Sequence, residues 1–377
     1  MKKTKNLTEI GWLFFRMGLT AFGGPAAHIA MMEREVIEKR KWMSKQHFLD
    51  LVGATNLIPG PNSTEMTMHC GHERGGVAGL FVAGFFFILP AVTLTGFLAF
   101  LYVEYGELPN VAPFIEGIKP AVLAVIAAAI LKLGKKAVKG WELATIGAIT
   151  MLVSVLFQVN EVLVLLGTGL LGSMYFSMKN YQKPEIRSFF PLVLGIPLKA
   201  KISSTIATTL FWKFLKVGAV LYGSGYVLFA YLDAELVEAG LMTRQELLDA
   251  IAVGQFTPGP VLSTASFIGY QLGGFWGCFA ATVGIFLPSF LFVLMLNPLI
   301  PKMRKSKFLS YFLDSVNVAA VGVMCAVLIA MGTSSVTDWK MATITVISFG
   351  LVFGFKKISS MWIVLIGSGL GYILQFI

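Results

Sequence analysis

The chain has 377 residues, of which 56% are hydrophobic and only 13% charged, with 31 Phe, 39 Gly and a mean hydropathy of +0.76. That balance excludes an ordinary soluble domain and reads as a polytopic membrane protein. The formal net charge is +10, but the basic residues gather in loops, as at Lys132, Lys135, Lys136 and Lys139 or Lys302, Arg304, Lys305 and Lys307, so they signal topology and no nucleic-acid partner.

Other classes fall away on motifs. Cys70, Cys278 and Cys325 are scattered through apolar surroundings without a CxxC, so neither a disulfide framework nor a metal site is expected, and no cofactor. No GxxxxGK[ST] loop is present, so energy should come from an ion gradient or a partner chain. The first apolar stretch carries Arg16 and leads into a charged helix, and no cleavable signal peptide is expected.

In chain order, a first apolar helix is predicted over 9 to 32, bending or breaking at Gly23-Gly24-Pro25. A charged amphipathic run follows, then a helix from Ser44 with Phe48, Leu51, Val52 and Thr55 on one face. Pro59-Gly60-Pro61 stops that helix, because two prolines withdraw two backbone donors and glycine permits the turn. Pro61 can open the next helix. Each arm is about 12 residues, short of the roughly 20 that cross a hydrocarbon core, so the pair reads as a re-entrant hairpin. Spans are predicted at 75 to 103, 110 to 132, 141 to 158 and 162 to 178. After a basic linker, further spans fall at 204 to 231, 274 to 300, 308 to 331, 339 to 354 and 358 to 376. A second hairpin at 243 to 272 begins with the capping box Thr243-Arg244-Gln245-Glu246 and breaks at Pro258-Gly259-Pro260.

A shift of about 200 residues superimposes much of the first half on the second. Arg16-Met17-Gly18 matches Lys216-Val217-Gly218. Asn56, Pro-Gly-Pro, Ser63-Thr64 and Gly75-Gly76 match Gln255, Pro-Gly-Pro, Ser263-Thr264 and Gly273-Gly274, and Leu89-Pro90 matches Leu287-Pro288. The expected organisation is an N-terminal transmembrane repeat over 1-178, a basic cytoplasmic linker over 179-202 and a C-terminal repeat over 203-377. Five crossings per half invert the second copy. Loop charges agree: the segment Glu33 to Lys45 is net basic, whereas its counterpart holds Asp233, Glu235, Glu238 and Glu246 against Arg244. Lys2, Lys3 and Lys5 run against this orientation. The fold class is therefore all-α, with two inverted-topology repeats, about 10 transmembrane helices and two re-entrant hairpins.

Inverted repeats place equivalent elements around a midplane site, so the helices opening at Pro61 and Pro260 would aim free amides at one volume, an arrangement suited to an anion. Ser63, Thr64, Ser263 and Thr264 could donate to an oxyanion, as could Asn56 and Gln255. The bland alternative is that these groups only repair backbone bonds broken at Pro-Gly-Pro. Arg16 and Lys216 are symmetry-equivalent cations in apolar helices and would balance the anion's charge; snorkelling to a headgroup is the competing reading. The unduplicated cluster Glu65, His69, His72, Glu73 and Arg74 is open to three readings: a proton relay through Glu65 or His69, a metal site that lacks an evident further ligand, or a solvated hairpin end.

The chain resembles the chromate ion transporter family in its long, duplicated form. The resemblance rests on Phe22-Gly23-Gly24-Pro25, Glu33 followed by Arg40-Lys41-Trp42, Pro59-Gly60-Pro61, Gly75-Gly76 with Leu89-Pro90, and the second Pro-Gly-Pro. It covers almost the whole length. It implies a multi-pass protein of the cell membrane that exports chromate, with sulfate as structural analogue and chromate resistance in some members. It also implies functional roles for Arg16, Gly23, Gly24, Glu33, Asn56, Pro59, Gly60 and Pro61. Asn56 stands where many relatives are expected to have glutamine. The expectation is thus a secondary transporter, not an enzyme, whose partners are a tetrahedral divalent oxyanion and the lipid bilayer, with a homodimer compatible. Transport direction and coupling ion are left open by the residues. An anion channel is the alternative, excluded by stoichiometric coupling. An enzyme acting on lipid phosphate is a third reading that lacks a nucleophile beside a base.

Overall fold

The structure is a computed structural model that describes residues 2–21, 25–55, 58–106, 108, 111–157, 161–179, 206–221, 227–296, 307–355, 358 and 360–376. Among them every regular element is helical. The linker expected at 179-202 lies, apart from Lys179, outside the described residues, as do Gly23, Gly24 and Asn56.

Helix α1 (Lys2–Thr20) and helix α2 (Pro25–Met32) are the two parts of the stretch expected to bend or break over 9 to 32, and Pro25 takes a first-turn position where its missing N–H costs nothing. The charged run after α2 is a π-helical segment, Glu33–Lys39. Helix α3 (Lys45–Thr55) leads to the first Pro-Gly-Pro, and α4 (Asn62–Tyr105) leaves it. Then come α5 (Ala112–Ala137), α6 (Trp141–Phe157) and α7 (Glu161–Lys179). In the second half, α8 (Ile206–Val220) and α9 (Leu228–Leu232) replace the single span expected over 204 to 231, and a second π-helical segment, Asp233–Val237, continues α9. Helix α10 (Arg244–Phe256) opens with the expected capping box: Thr243 Oγ1 accepts from the Glu246 amide at 3.2 Å while the Glu246 carboxylate accepts from the Thr243 amide at 2.6 Å. A 3-10 turn (Val261–Ser263) precedes α11 (Thr264–Leu296), and α12 (Lys307–Ser335), α13 (Trp339–Gly354) and α14 (Ser360–Leu374) complete the chain.

Helix α4 is not one straight rod. An unbroken helix would hold residues 71 and 79 about 12 Å apart along its axis, yet a Cβ added to either Gly71 or Gly79 would strike the other's carbonyl oxygen. The chain folds back at Gly76, whose φ of 62° and ψ of −153° suit a residue without a Cβ. The same device recurs in α11, where Gly274 has φ 59° and ψ −151° and Gly269 meets Gly277. Each Pro-Gly-Pro is therefore followed by a short helical arm, a reversal and a long apolar helix, as the boundaries near 75 and 274 anticipate.

Packing is crosswise. Helix α1 lies on α4 and α8 on α11, and α4 meets α11. Beyond them, α5 of the first half packs against α13 and α14 of the second, and α12 of the second packs against α6 and α7 of the first. Apolar residues fill these contacts: Ile10, Leu13, Phe14, Phe48 and Phe87 form one cluster, and residues of α5 and α8 to α12 form a larger one. Large side chains nevertheless point outward, among them Phe85, Phe97, Phe275 and Trp276. Asn62–Tyr105, Ala112–Ala137, Val261–Met295 and Ser310–Thr333 are long and apolar enough to cross a membrane. An apolar exterior on apolar helices identifies an integral membrane protein, whose outer face is wetted by lipid.

The glycine contacts at the reversals yield a direct test. Gly71→Leu and Gly269→Leu should each destabilise the purified protein by about 1–3 kcal/mol or more through overpacking, read as a fall in thermal midpoint in detergent. Gly167→Leu, on open surface of α7, should leave the midpoint unmoved.

Candidate functional site

The two Pro-Gly-Pro turns are buried throughout, and each reaches into the opposite half. The Gly60 amide donates to the Leu221 carbonyl at 2.7 Å, and the Gly259 amide donates to the Ala21 carbonyl at 2.9 Å. Ala21 and Leu221 follow the C-termini of α1 and α8, where carbonyls lack partners from their own helix. A foreign amide therefore satisfies each helix end. His28 Nε2 stands 3.1 Å from the same Ala21 oxygen. Gly60 has φ 136° and Gly259 φ 94°, and neither has room for a Cβ: at Gly60 it would meet Glu65 and Ser289, at Gly259 Ala91 and the backbone of Gly18.

Pro61 and Pro260 are both extended residues that cap the helical turns after them. Thr64 and Ser263 each stand third after their proline, and both hydroxyls are buried without a hydrogen-bond partner. This register shifts the pairing by one residue from the Ser63-Thr64 to Ser263-Thr264 match, because two residues separate Pro260 from Ser263 and only one separates Pro61 from Ser63. Thr264 Oγ1 donates to the Val261 carbonyl at 2.8 Å and so repairs backbone; Thr64 and Ser263 do not. Ser63 is buried beside them, and the Gln255 amide nitrogen is a further buried donor without a partner.

Glu65 stands at the same tip, one residue beyond Thr64, and is wholly buried. The Ser289 hydroxyl of α11 lies beside its carboxyl group, without the geometry of a full hydrogen bond, and neither carboxyl oxygen has a partner that meets it. His69 follows one turn on, also buried. Beyond it the expected cluster disperses: Glu73 pairs with His47 at 3.3 Å and Arg74 with Glu9 at 3.1 Å, at the exposed end of the arm. Among the described residues no group of three or more His, Cys, Asp or Glu side chains stands where it could hold a metal ion.

Arg16 and Lys216 are each placed against a carboxylate that sequence reasoning passed over. Arg16 Nη2 lies 3.1 Å from Glu35, which also accepts from Lys39 at 2.7 Å and from Arg40. Lys216 binds Glu235, which Lys213 approaches at 3.4 Å. The π-helical segments carry both acids, and Glu35 and Glu235 differ by the same 200 positions as Arg16 and Lys216. Cations outnumber the carboxylate at both nodes, and Arg16 and Lys216 stay about half exposed, at 49% and 52%. Burial raises the Glu35 pKa, but the donors Lys39 and Arg40 and the charges of Arg40 and Arg16 outweigh it, so Glu35 stays ionised below the usual carboxylate range. Glu33, to which the resemblance gives a functional role and which is a candidate for coupling, pairs with Lys45 at 2.9 Å.

A third polar cluster was not anticipated. Asp249 of α10 is buried, accepts from Tyr102 of α4 at 2.7 Å, and has Lys119 of α5 at 3.6 Å. It ties the second arm to two long helices. The only signal in the sequence was an acid and a base inside apolar stretches, which cannot be paired without the fold.

The geometry can be set beside known proteins. A family model described as "Chromate transporter" matches residues 8–173 and 208–372. A protein of Synechococcus elongatus named "Probable chromate transport protein" is 30% identical over 341 residues, covering 88% of this chain and 86% of that protein. A "Chromate transport protein" of Cupriavidus metallidurans is 29% identical, covering 96% of this chain and 91% of its own. Another of that name from Pseudomonas aeruginosa is 29% identical with the same coverage. No solved structure matches the chain. The two matched regions correspond to the two halves that carry the Pro-Gly-Pro tips, and the chain belongs to the chromate transporter family.

Proposed function

We propose that this membrane protein is a secondary active transporter of a tetrahedral divalent oxyanion, exporting chromate across the cell membrane, with sulfate as an analogue. The observation that carries the proposal is the pair of buried hydroxyls without partners, Thr64 and Ser263, at the same distance behind two tips that each dock in the other half. A buried donor left unsatisfied costs roughly 1–3 kcal/mol, and an oxyanion would supply the missing acceptor.

In this reading the halves are inverted-topology repeats, with about ten spans and two re-entrant hairpins. The helices that leave Pro61 and Pro260 point amides and positive dipole ends at the anion. Thr64, Ser263 and Ser289 donate hydroxyl bonds, joined by Asn56, Ser63 and Gln255, and Gly60 and Gly259 allow backbone to approach. The cation-rich nodes at Arg16 and Lys216 draw the anion in, and rocking of the halves exchanges the side to which the tips open. The chromate specificity comes from the names of the relatives, and the oxyanion chemistry from the tips.

Radiolabelled chromate and sulfate flux in proteoliposomes tests this, with the pH gradient and membrane potential set separately. Saturable flux that follows an imposed gradient is expected; no oxyanion movement under any gradient would refute the proposal. Gly60→Leu and Gly259→Leu should each reduce flux at least about tenfold, since losing a charge-assisted contact of 1.5–3 kcal/mol is a decade or more; indifference to both would remove the tips from the site. Arg16→Gln should raise the half-saturating anion concentration about tenfold, whereas Glu35→Gln, which frees Arg16, should not raise it. Equal effects of the two substitutions would make the node a structural ion pair.

A further inference from the structure

The carboxyl group of Glu65 is the feature that an anion site least explains. It is completely buried, it lies against the Gly60 tip and Ser289, and neither oxygen has a hydrogen-bond partner of good geometry. A buried carboxylate without a cation is among the most expensive arrangements in a protein, so the group holds a proton or gains a compensating charge. The charged side chains described on the elements packed against α4 are committed elsewhere; the side chains of Lys2, Lys3 and Lys5 on α1 and of Asp50 on α3 lie outside the described residues. On α1, Arg16 binds Glu35, and Glu9 is held by Arg74 and Arg40. On α2, His28 is turned to the Ala21 carbonyl. Helix α3 carries Lys45 on Glu33 and His47 on Glu73. On α10, Arg244 binds Asp233, Glu246 closes the capping box, and Asp249 faces Lys119 and Tyr102. Helix α11 and the turn before it carry no acidic, basic or His side chain. On α4 itself, His69 and Cys70 are buried near Glu65, and His72, Glu73 and Arg74 lie at the far end of the arm.

We propose that Glu65 is the proton-binding site of the transporter and that oxyanion and proton are carried together, the anion entering the tips only while Glu65 is protonated. The inference rests on the oxyanion reading above. An ionised Glu65 would place a negative charge within the space that a dianion needs, and would itself occupy the positive end of α4. Protonation removes the repulsion and turns the carboxyl group into one more donor, with Ser289 free to accept or donate. Like-charge exclusion thus makes proton and anion binding mutually reinforcing. The sign follows: acidic conditions favour loading, and loading is lost as pH rises through the ionisation of Glu65. A dianion accompanied by one proton moves as a single net negative charge, so an inside-negative membrane potential drives it outward while an inward proton gradient opposes it.

The test uses the full-length protein in proteoliposomes with sulfate as the probe and a trapped pH indicator. Wild-type protein should move protons in the same direction as sulfate, and its flux should fall about tenfold per pH unit once the acid ionises. Glu65→Gln should carry sulfate without protons and without that pH dependence, while Glu65→Asp should keep a displaced but intact pH profile. Sulfate flux in wild type with no proton movement, or with protons running the opposite way, would overturn the inference and leave the transporter reading standing. So would a Glu65→Gln protein with wild-type proton coupling. If Glu65→Gln moves nothing, the Asp variant decides: a profile identical to wild type overturns the assignment and a displaced one supports it. Absence of any oxyanion flux in wild type would overturn both readings together.

Discussion

Two backbone hydrogen bonds hold the centre of this protein: Gly60 to the Leu221 carbonyl and Gly259 to the Ala21 carbonyl. In a hydrocarbon setting a helix cannot end without a partner for its last carbonyls, and here each interrupted helix finds that partner in the other half of the chain. The prolines stop the hairpin helices, the glycines leave an amide free in a conformation with no room for a side chain, and the opposite helix end takes it up. Neither half can be completed alone. The crosswise packing of α5 with α13 and α14, and of α12 with α6 and α7, repeats the same dependence among the longer helices.

Electrostatics differs between the π-helical segments and the tips. At the π-helical segments cations outnumber the carboxylates of Glu35 and Glu235, and Glu35, held by Lys39, Arg40 and Arg16, stays ionised. Near the tips the pattern is opposite, with hydroxyls, amides and one acid and no committed cation. In the proposed transport reading, the cation-rich nodes would attract a dianion and the tips would offer it preorganised donors. The buried Asp249, with Lys119 and Tyr102, stands apart from both regions, as a polar tie between the second arm and two long helices.

Much of this was legible from residues because it rests on local chemistry. Pro-Gly-Pro marks a helix stop wherever it falls, Thr243 to Glu246 is a capping box by spacing alone, and Gly75-Gly76 and Gly273-Gly274 anticipate the boundaries where the chain reverses. What failed to appear is long-range. Arg16 stands out as an isolated cation, but its partner Glu35 lies in a run whose sequence shows amphipathic character and loop charge and no pairing, and a π-helical turn alters which side chains share a face. Ser289 follows Leu287-Pro288 in a stretch that looks like plain lipid-facing helix, and only the crossing of α11 by the first tip gives its hydroxyl a neighbour. The serine and threonine match between halves slips by one residue because the second half carries one extra residue between its Pro-Gly-Pro and its serine, so matching by residue type and matching by distance from the tip give different pairs.

The fourth residue after the capping proline is Glu65 in one half and Thr264 in the other. Two identical single-repeat subunits would be compelled to carry either two acids at their shared centre or none. Joining both copies in one polypeptide lifts that compulsion, because each can change without the other. The duplicated gene product can therefore set an odd number of ionisable groups where an exact two-fold assembly is restricted to even ones, and its stoichiometry becomes a heritable property of sequence divergence between halves.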